Sequence, residues 1–91
     1  MGMITLTGYI LVPDADIAAV EKHMPDHNRL SLEEDGCLEF NLRVDPENPN
    51  RYLVDELFKD RAAFEAHSVR AKASDWGQAT THLERSFKIS E

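Results

Sequence analysis

An α+β fold of the ferredoxin-like kind, β-α-β-β-α-β with one four-stranded antiparallel sheet, is what this 91-residue sequence predicts. Three observations lead there. Several segments carry the β-branched, aromatic and alternating pattern of strands, and two others repeat apolar residues every three or four positions. They follow one another as strand, helix, strand, strand, helix, strand. Two β-α-β halves around a hairpin are the split β-α-β arrangement. Right-handed crossovers then set both helices on one face of the sheet.

Met3 to Val12 is rich in Ile, Leu, Thr, Tyr and Val and reads as the first strand. Gly8 interrupts it, as at a bulge or where another group comes close to the backbone. Pro13-Asp14 ends the strand. Ile17, Val20, Met24, His27 and Leu30 or Ser31 then share one face of a helix running from about Asp16 to Asp35. Pro25 lies inside it, so a kink or break is expected near Glu21 to Met24. Gly36 stands where a helix often ends with φ > 0.

Cys37 to Val44 alternates, with Leu38, Phe40, Leu42 and Val44 on one face and Cys37, Glu39, Asn41 and Arg43 on the other. Asp45 to Asn50 is a dense turn signal, and Arg51 to Lys59 is the third strand, giving a hairpin with a longer loop. Asp60 suits the N-cap of a second helix, Arg61 to about Ala73, with Ala63, Phe64, His67 and Ala71 inward. Trp76 to about Thr81 is a short helical piece, and His82 or Leu83 to Ile89 the last strand. The first and third strands are apolar on both faces: Leu11 and Met3, and Leu53 and Leu57, lie opposite the helix side. Such strands need two covers, and a second subunit's sheet is the expected second one.

The chain is one domain by length, residues 1–91, with a core that is marginal on its own at this size. Met1-Gly2-Met3 admits Met3 as the native start, and Gly2 is given no functional weight. A formal charge of −7, with scattered basic residues, disfavours nucleic acid and anionic membrane as partners. Cys37 is the only cysteine, which fits a reducing compartment. With no signal-peptide pattern or membrane-spanning stretch in view, a cytoplasmic location is expected.

No phosphate-binding loop, Cys-x-x-Cys or His-Glu-x-x-His pattern is present. His23 and His27 stand four apart, but Pro25 separates them and no third ligand is visible, so no metal site is assigned. His67 lies on the inward stripe of the second helix, either as a hydrogen-bonded core residue or as a pocket acid or base. Glu56 shares a strand face with Tyr52, Val54 and Phe58. A carboxylate there must be solvated or paired. If the second helix packs over that strand, Glu56 and His67 meet, and the pair would raise the histidine pKa and hold its tautomer. Trp76 either fills the core or lines a pocket wall. Cys37 reads as a small packed residue, and Glu33-Glu34-Asp35 as a solvated acidic helix end.

Taken together, Glu34-Asp35-Gly36-Cys37, the Asp45-Pro46 turn, Glu56-Leu57-Phe58 and Ala63 to His67 resemble the antibiotic biosynthesis monooxygenase domain family. Its members show Glu-x-Gly-Cys, a Glu-x-aromatic strand and an Ala-x-x-x-His helix at these places. The resemblance implies a homodimer, a dimeric α/β barrel whose two sheets face each other. It also implies oxidation of phenolic or quinol-type molecules by O2 without metal or flavin, in a pocket between sheet and helices. Glu56 and His67 match recurrent family positions, and Asn41, His27, Trp76 and Phe58 are the expected substrate neighbours. Phe58 stands where the family commonly has tryptophan. The first strand lacks the asparagine of heme-degrading relatives, which argues against that reaction. The fold also carries isomerases, so Glu56 and His67 as a proton-transfer pair is a second reading. A ligand-binding or structural dimer without turnover is a third.

Overall fold

The computed structural model describes residues 2–91, and its elements follow the expected order. They are β1 (Ile4–Leu11), α1 (Asp14–Glu33), β2 (Cys37–Asp45), β3 (Asn48–Phe58), α2 (Arg61–Ala73), α3 (Asp75–Thr80) and β4 (Arg85–Ser90). The strands form one antiparallel sheet in the order β2-β3-β1-β4, the ferredoxin-like arrangement. Among the described residues, no helix is long and apolar enough to cross a membrane.

Alternation sorts each strand into two faces. Ile4, Leu6, Ile10, Phe40, Leu42, Tyr52, Val54 and Phe58 point to the helices and form the core with Val20 and Trp76. Apolar burial of this kind supplies most of the driving force for the fold. Gly8 sits mid-strand between Val54 and Phe87 with φ 151. A Cβ there would fall 1.9 Å from the Ser86 carbonyl oxygen, so glycine is what lets β4 pair with β1.

Several local expectations are corrected. α1 runs unbroken through Pro25. Both Pro25 and Glu21, whose carbonyl loses its donor, are on the solvent side, where water can satisfy it. The helix ends with Glu34 extended, and Gly36 does not have positive φ. Its lack of a side chain serves packing instead: a Cβ would lie 2.3 Å from that of Ala63 on α2. The hairpin loop is short, since Asp45 already pairs with Asn48. The Asp45 carboxylate accepts from Glu47 N at 2.9 Å and from Arg51 Nε at 2.8 Å, so the turn is organised by one buried acid.

A register shift between Cys37 and Glu39 changes the start of β2. The extra residue turns Cys37 inward and leaves Leu38 49% exposed, the reverse of simple alternation. α2 begins as expected, with the Asp60 carboxylate accepting from Ala63 N at 2.8 Å. Ser74 caps α3 by accepting from Gly77 N at 3.2 Å. The helices crowd over β2 and β3 and leave the β4 side of the face open. Arg85, opposite Ile10, Phe87, opposite Gly8, and Ile89, opposite Leu6, form that open floor.

Candidate active site

The open floor and the helix layer enclose a cavity of about 290 Å³. Its lining is mostly apolar, with Leu6, Ile10 and Val54 from the sheet and Phe64 from α2. The polar groups reaching it include Glu56 on β3, His67 on α2 and His27 on α1. An apolar cavity of about 150 Å³ already admits benzene, so this one has room for an aromatic body.

Glu56 and His67 do meet. Glu56 faces the helices because it shares the period-two face of Val54 and Phe58, and His67 lies one turn beyond Ala63 and Phe64. The Glu56 Oε1 to His67 Nε2 distance is 3.7 Å, and the two side chains are 8% and 7% exposed. On its other side His67 Nδ1 lies 2.9 Å from Glu34 Oε1. A carboxylate there can only accept, so Nδ1 carries the proton and Nε2 presents its lone pair on the Glu56 side. Glu34 in turn accepts from Arg70 Nε, and Arg70 Nη2 donates to Ser31 Oγ at 2.9 Å.

The electrostatics run opposite to the expected rise of the histidine. Burial lowers the His67 pKa and outweighs the upward pull of Glu34, while Arg70 pushes it further down. The carboxyl is the group that rises: burial first, then the nearby Glu34 charge, bring Glu56 to about 8. At neutral pH the site therefore holds a neutral imidazole beside a largely protonated carboxyl. His27 is pushed down to about 3 by burial, with His67 and Arg70 adding to the effect.

Trp76 takes both of its expected parts. It is 6% exposed in the core and also lines the cavity. Its ring stacks on His27 with centroids 4.8 Å apart and planes within 6°. Phe40 meets the edge of His27 at 5.2 Å. His27 Nδ1 is buried without a hydrogen-bond partner among the described residues.

Two expected neighbours are placed elsewhere. Asn41 is exposed on the opposite sheet face, where its Oδ1 accepts from Arg43 at 3.2 Å, because it alternates with the inward Phe40 and Leu42. Phe58 is fully buried behind the histidine, its ring centre 5.0 Å from that of His67 and 5.5 Å from that of Phe64, and it buttresses rather than lines the cavity. Cys37 is packed as expected, and burial, with the acids Glu34 and Glu56 adding, raises its thiol to about 11. It is thus not a ready thiolate. Among the described residues no three His, Cys, Asp or Glu side chains converge as a metal-binding group.

Glu34 and Arg70 belong to the cluster and were not expected in it. Glu33 and Asp35 are exposed, as an acidic helix end should be, but Glu34 between them turns inward. Its one sequence signal was the Glu-x-Gly-Cys motif, since charge and periodicity both read the run as solvated. Arg70, three residues beyond His67 on α2, carried no distinct signal.

Comparison with known proteins agrees with this architecture. A structure from Nitrosomonas europaea, named after the antibiotic biosynthesis monooxygenases, superposes with a TM-score of 0.83 at 21% identity, covering 98% of this chain and 96% of that one. One from Deinococcus radiodurans, named after the same family, gives 0.78 at 17% identity, covering 97% and 90%. PA3566 from Pseudomonas aeruginosa gives 0.73 at 22% identity, covering 99% and 91%. At these identities the likeness is one of fold. No curated protein matches the sequence. The family model described as antibiotic biosynthesis monooxygenase matches residues 3–79, and with most of its length so matched the chain belongs to that family.

Proposed function

We propose that the protein is a cofactor-independent monooxygenase that oxidises a small phenolic or quinol-type molecule with O2, with His67 as the general base. The observation that carries this is the buried imidazole clamped through Nδ1 by Glu34, with Nε2 facing Glu56 at 3.7 Å beside a cavity of about 290 Å³. A phenol hydroxyl brought to Nε2 passes its proton there, and the imidazolium formed is stabilised by the Glu34 carboxylate. Glu56, 3.7 Å from Nε2, is within reach of the same hydroxyl and of the oxygen that develops charge. The apolar walls keep water from quenching the phenolate's reactivity.

The electron count closes without a further reductant. A hydroquinone ring gains one oxygen atom at a ring C–H and becomes a hydroxyquinone, giving up four electrons in all. Those electrons reduce O2, whose second atom leaves as water with the two hydrogens lost from the ring system. Each turnover thus consumes one O2 and one quinol.

Oxygen uptake with a panel of hydroquinones, after removal of metal and flavin, tests the reading. The expected result is one O2 per quinol and one labelled oxygen in the product from ¹⁸O₂. His67→Gln is expected to lose about 10²–10⁴-fold in rate, the range that general base catalysis contributes. Glu34→Gln should lose less and shift the pH profile, as suits a positioning residue. No uptake with any quinol, or an unchanged rate in His67→Gln, rejects the proposal. The adjacency of an acid, Glu56, and a base, His67, also favours an isomerase reading, for which deuterium incorporation from solvent without O2 uptake is the distinguishing result.

A further inference from the structure

The cavity holds two positive charges that the proton chemistry above does not use. Arg85, the first residue of β4, faces the helix side because it pairs with Ile10, and Lys72 reaches the same cavity from α2. In a chain with seventeen acidic residues against ten basic ones, cations readily find partners. Arg29, Arg43, Arg51, Lys59, Arg61 and Arg70 each have a carboxylate partner. Among the described residues Lys22, Lys72, Arg85 and Lys88 have none, and of these Lys72 and Arg85 are the two that line the cavity.

Arg85 is the more telling of the two. Its Nη2 and Nε donate to the backbone carbonyls of Thr80 and Leu83, the latter at 3.4 Å. Its guanidinium is fixed in place by neutral groups, and its remaining Nη1 has no hydrogen-bond partner among the described residues. The cavity wall on its inner side lowers its pKa from the usual arginine value. A guanidinium remains charged in proteins, so Arg85, exposed at the rim of the cavity, offers a fixed positive charge and open donors to a guest. Among the described residues, Glu56 is the one acid lining the cavity. Glu56 is largely protonated at neutral pH, and Glu34 lies behind His67, engaged by Arg70.

We infer that the molecule taken into this cavity carries one anionic group, held by Arg85 and Lys72, while its apolar body lies over Leu6, Val54 and Ile89 toward Glu56 and His67. This names the substrate class for the site proposed above and rests on that cavity being the substrate site. A carboxylate suits the fixed fork of Arg85, which can offer parallel donors to two oxygens. A substrate of this class is an aromatic acid whose oxidisable hydroxyl is distant from its carboxylate.

Calorimetric binding of 2-naphthoate and of its neutral counterpart 2-naphthamide tests the inference apart from turnover, since neither is a quinol. The acid is expected to bind at least tenfold more tightly, with an affinity that falls as salt is added. Arg85→Gln and Lys72→Gln should each weaken the acid at least fivefold and leave the amide within twofold. Lys72 is on an exposed part of α2, so its variant remains informative if Arg85→Gln lowers stability; Arg85→Lys, which keeps charge but loses the fork, is the further control. Equal binding of acid and amide, equal weakening of both in the variants, or no binding of either overturns the inference. Preferential binding of the acid alongside absent O2 uptake would keep the anion site and remove the monooxygenase reading. The reverse pattern would do the opposite.

Discussion

Glu56 and His27 pull stability in opposite directions as pH changes. Glu56 rises from an ordinary 4.5 to about 8 on folding, so the folded chain keeps a proton that the unfolded chain releases. Its contribution is complete below about pH 4.5 and is lost as pH climbs through 8. His27 falls from 6.5 to about 3, so the unfolded chain takes up a proton that the folded one refuses. Its contribution is present above pH 6.5 and is lost as pH falls toward 3. His67, lowered by burial, adds to this acid limb. Between pH 4.5 and 6.5 the Glu56 and His27 limbs offset each other, so urea unfolding from pH 4 to 9 is expected to show a broad maximum there, tilted toward its upper end by His67, with stability falling above it. His27→Phe, which keeps a flat ring against Trp76, should recover about 2–3 kcal/mol of the acid loss at pH 4.5. An acid limb equally steep in the variant would exclude His27 as its source. The Glu56–His67 pair was legible at this scale because two periodicities, of strand and helix, set both residues on facing surfaces. Glu34 was not, because its direction depends on where α1 stops. Asn41 shows the converse: alternation already set it opposite Phe40, and only resemblance had drawn it toward the pocket.

The junction between β2 and α2 depends on one missing methyl group. Gly36 allows the start of β2 to lie against Ala63, and Gly36→Ala brings two Cβ atoms to 2.3 Å. Overpacking of this kind costs about 1–3 kcal/mol. The double variant with Ala63→Gly should regain part of that loss, and a thermodynamic cycle measures how much. If the two substitutions simply add, the contact is not the cause. Sequence pattern named the elements and most of their ends, including Asp60 at the start of α2. It misplaced the start of β2 because one extra residue there inverts the alternation that defines faces. It also allowed a break at Pro25 that does not occur, since a lost hydrogen bond on the solvent side of a helix has water as its substitute.

The whole sheet has one covered face and one bare one. Tyr9, Leu11, Leu53 and Leu57 are only partly exposed there, flanked by Arg51 and Asp55, and no helix or strand among the described residues packs on them. We propose that a second copy covers this face, which would supply the burial that a 91-residue core lacks. Sedimentation at micromolar concentration is expected to give a dimer, and Leu53→Glu a folded monomer with more than tenfold weaker association. A wild-type monomer at that concentration removes the proposal. That strands β1 and β3 are apolar on both sides was plain from the sequence. The cavity was not, because it arises where the helices fail to reach β4, a gap that no local pattern encodes.

The stack of His27 on Trp76 gives the molecule an optical property of its own. Trp76 is the sole tryptophan, so near-ultraviolet emission of indole comes from the cavity wall alone. Imidazolium accepts an electron from excited indole where neutral imidazole does not. With the rings 4.8 Å apart, emission is expected to dim as His27 takes up a proton near pH 3. The colour of that emission follows the polarity of whatever lies beside Trp76, so entry of a guest and entry of a proton leave separate marks on one spectrum.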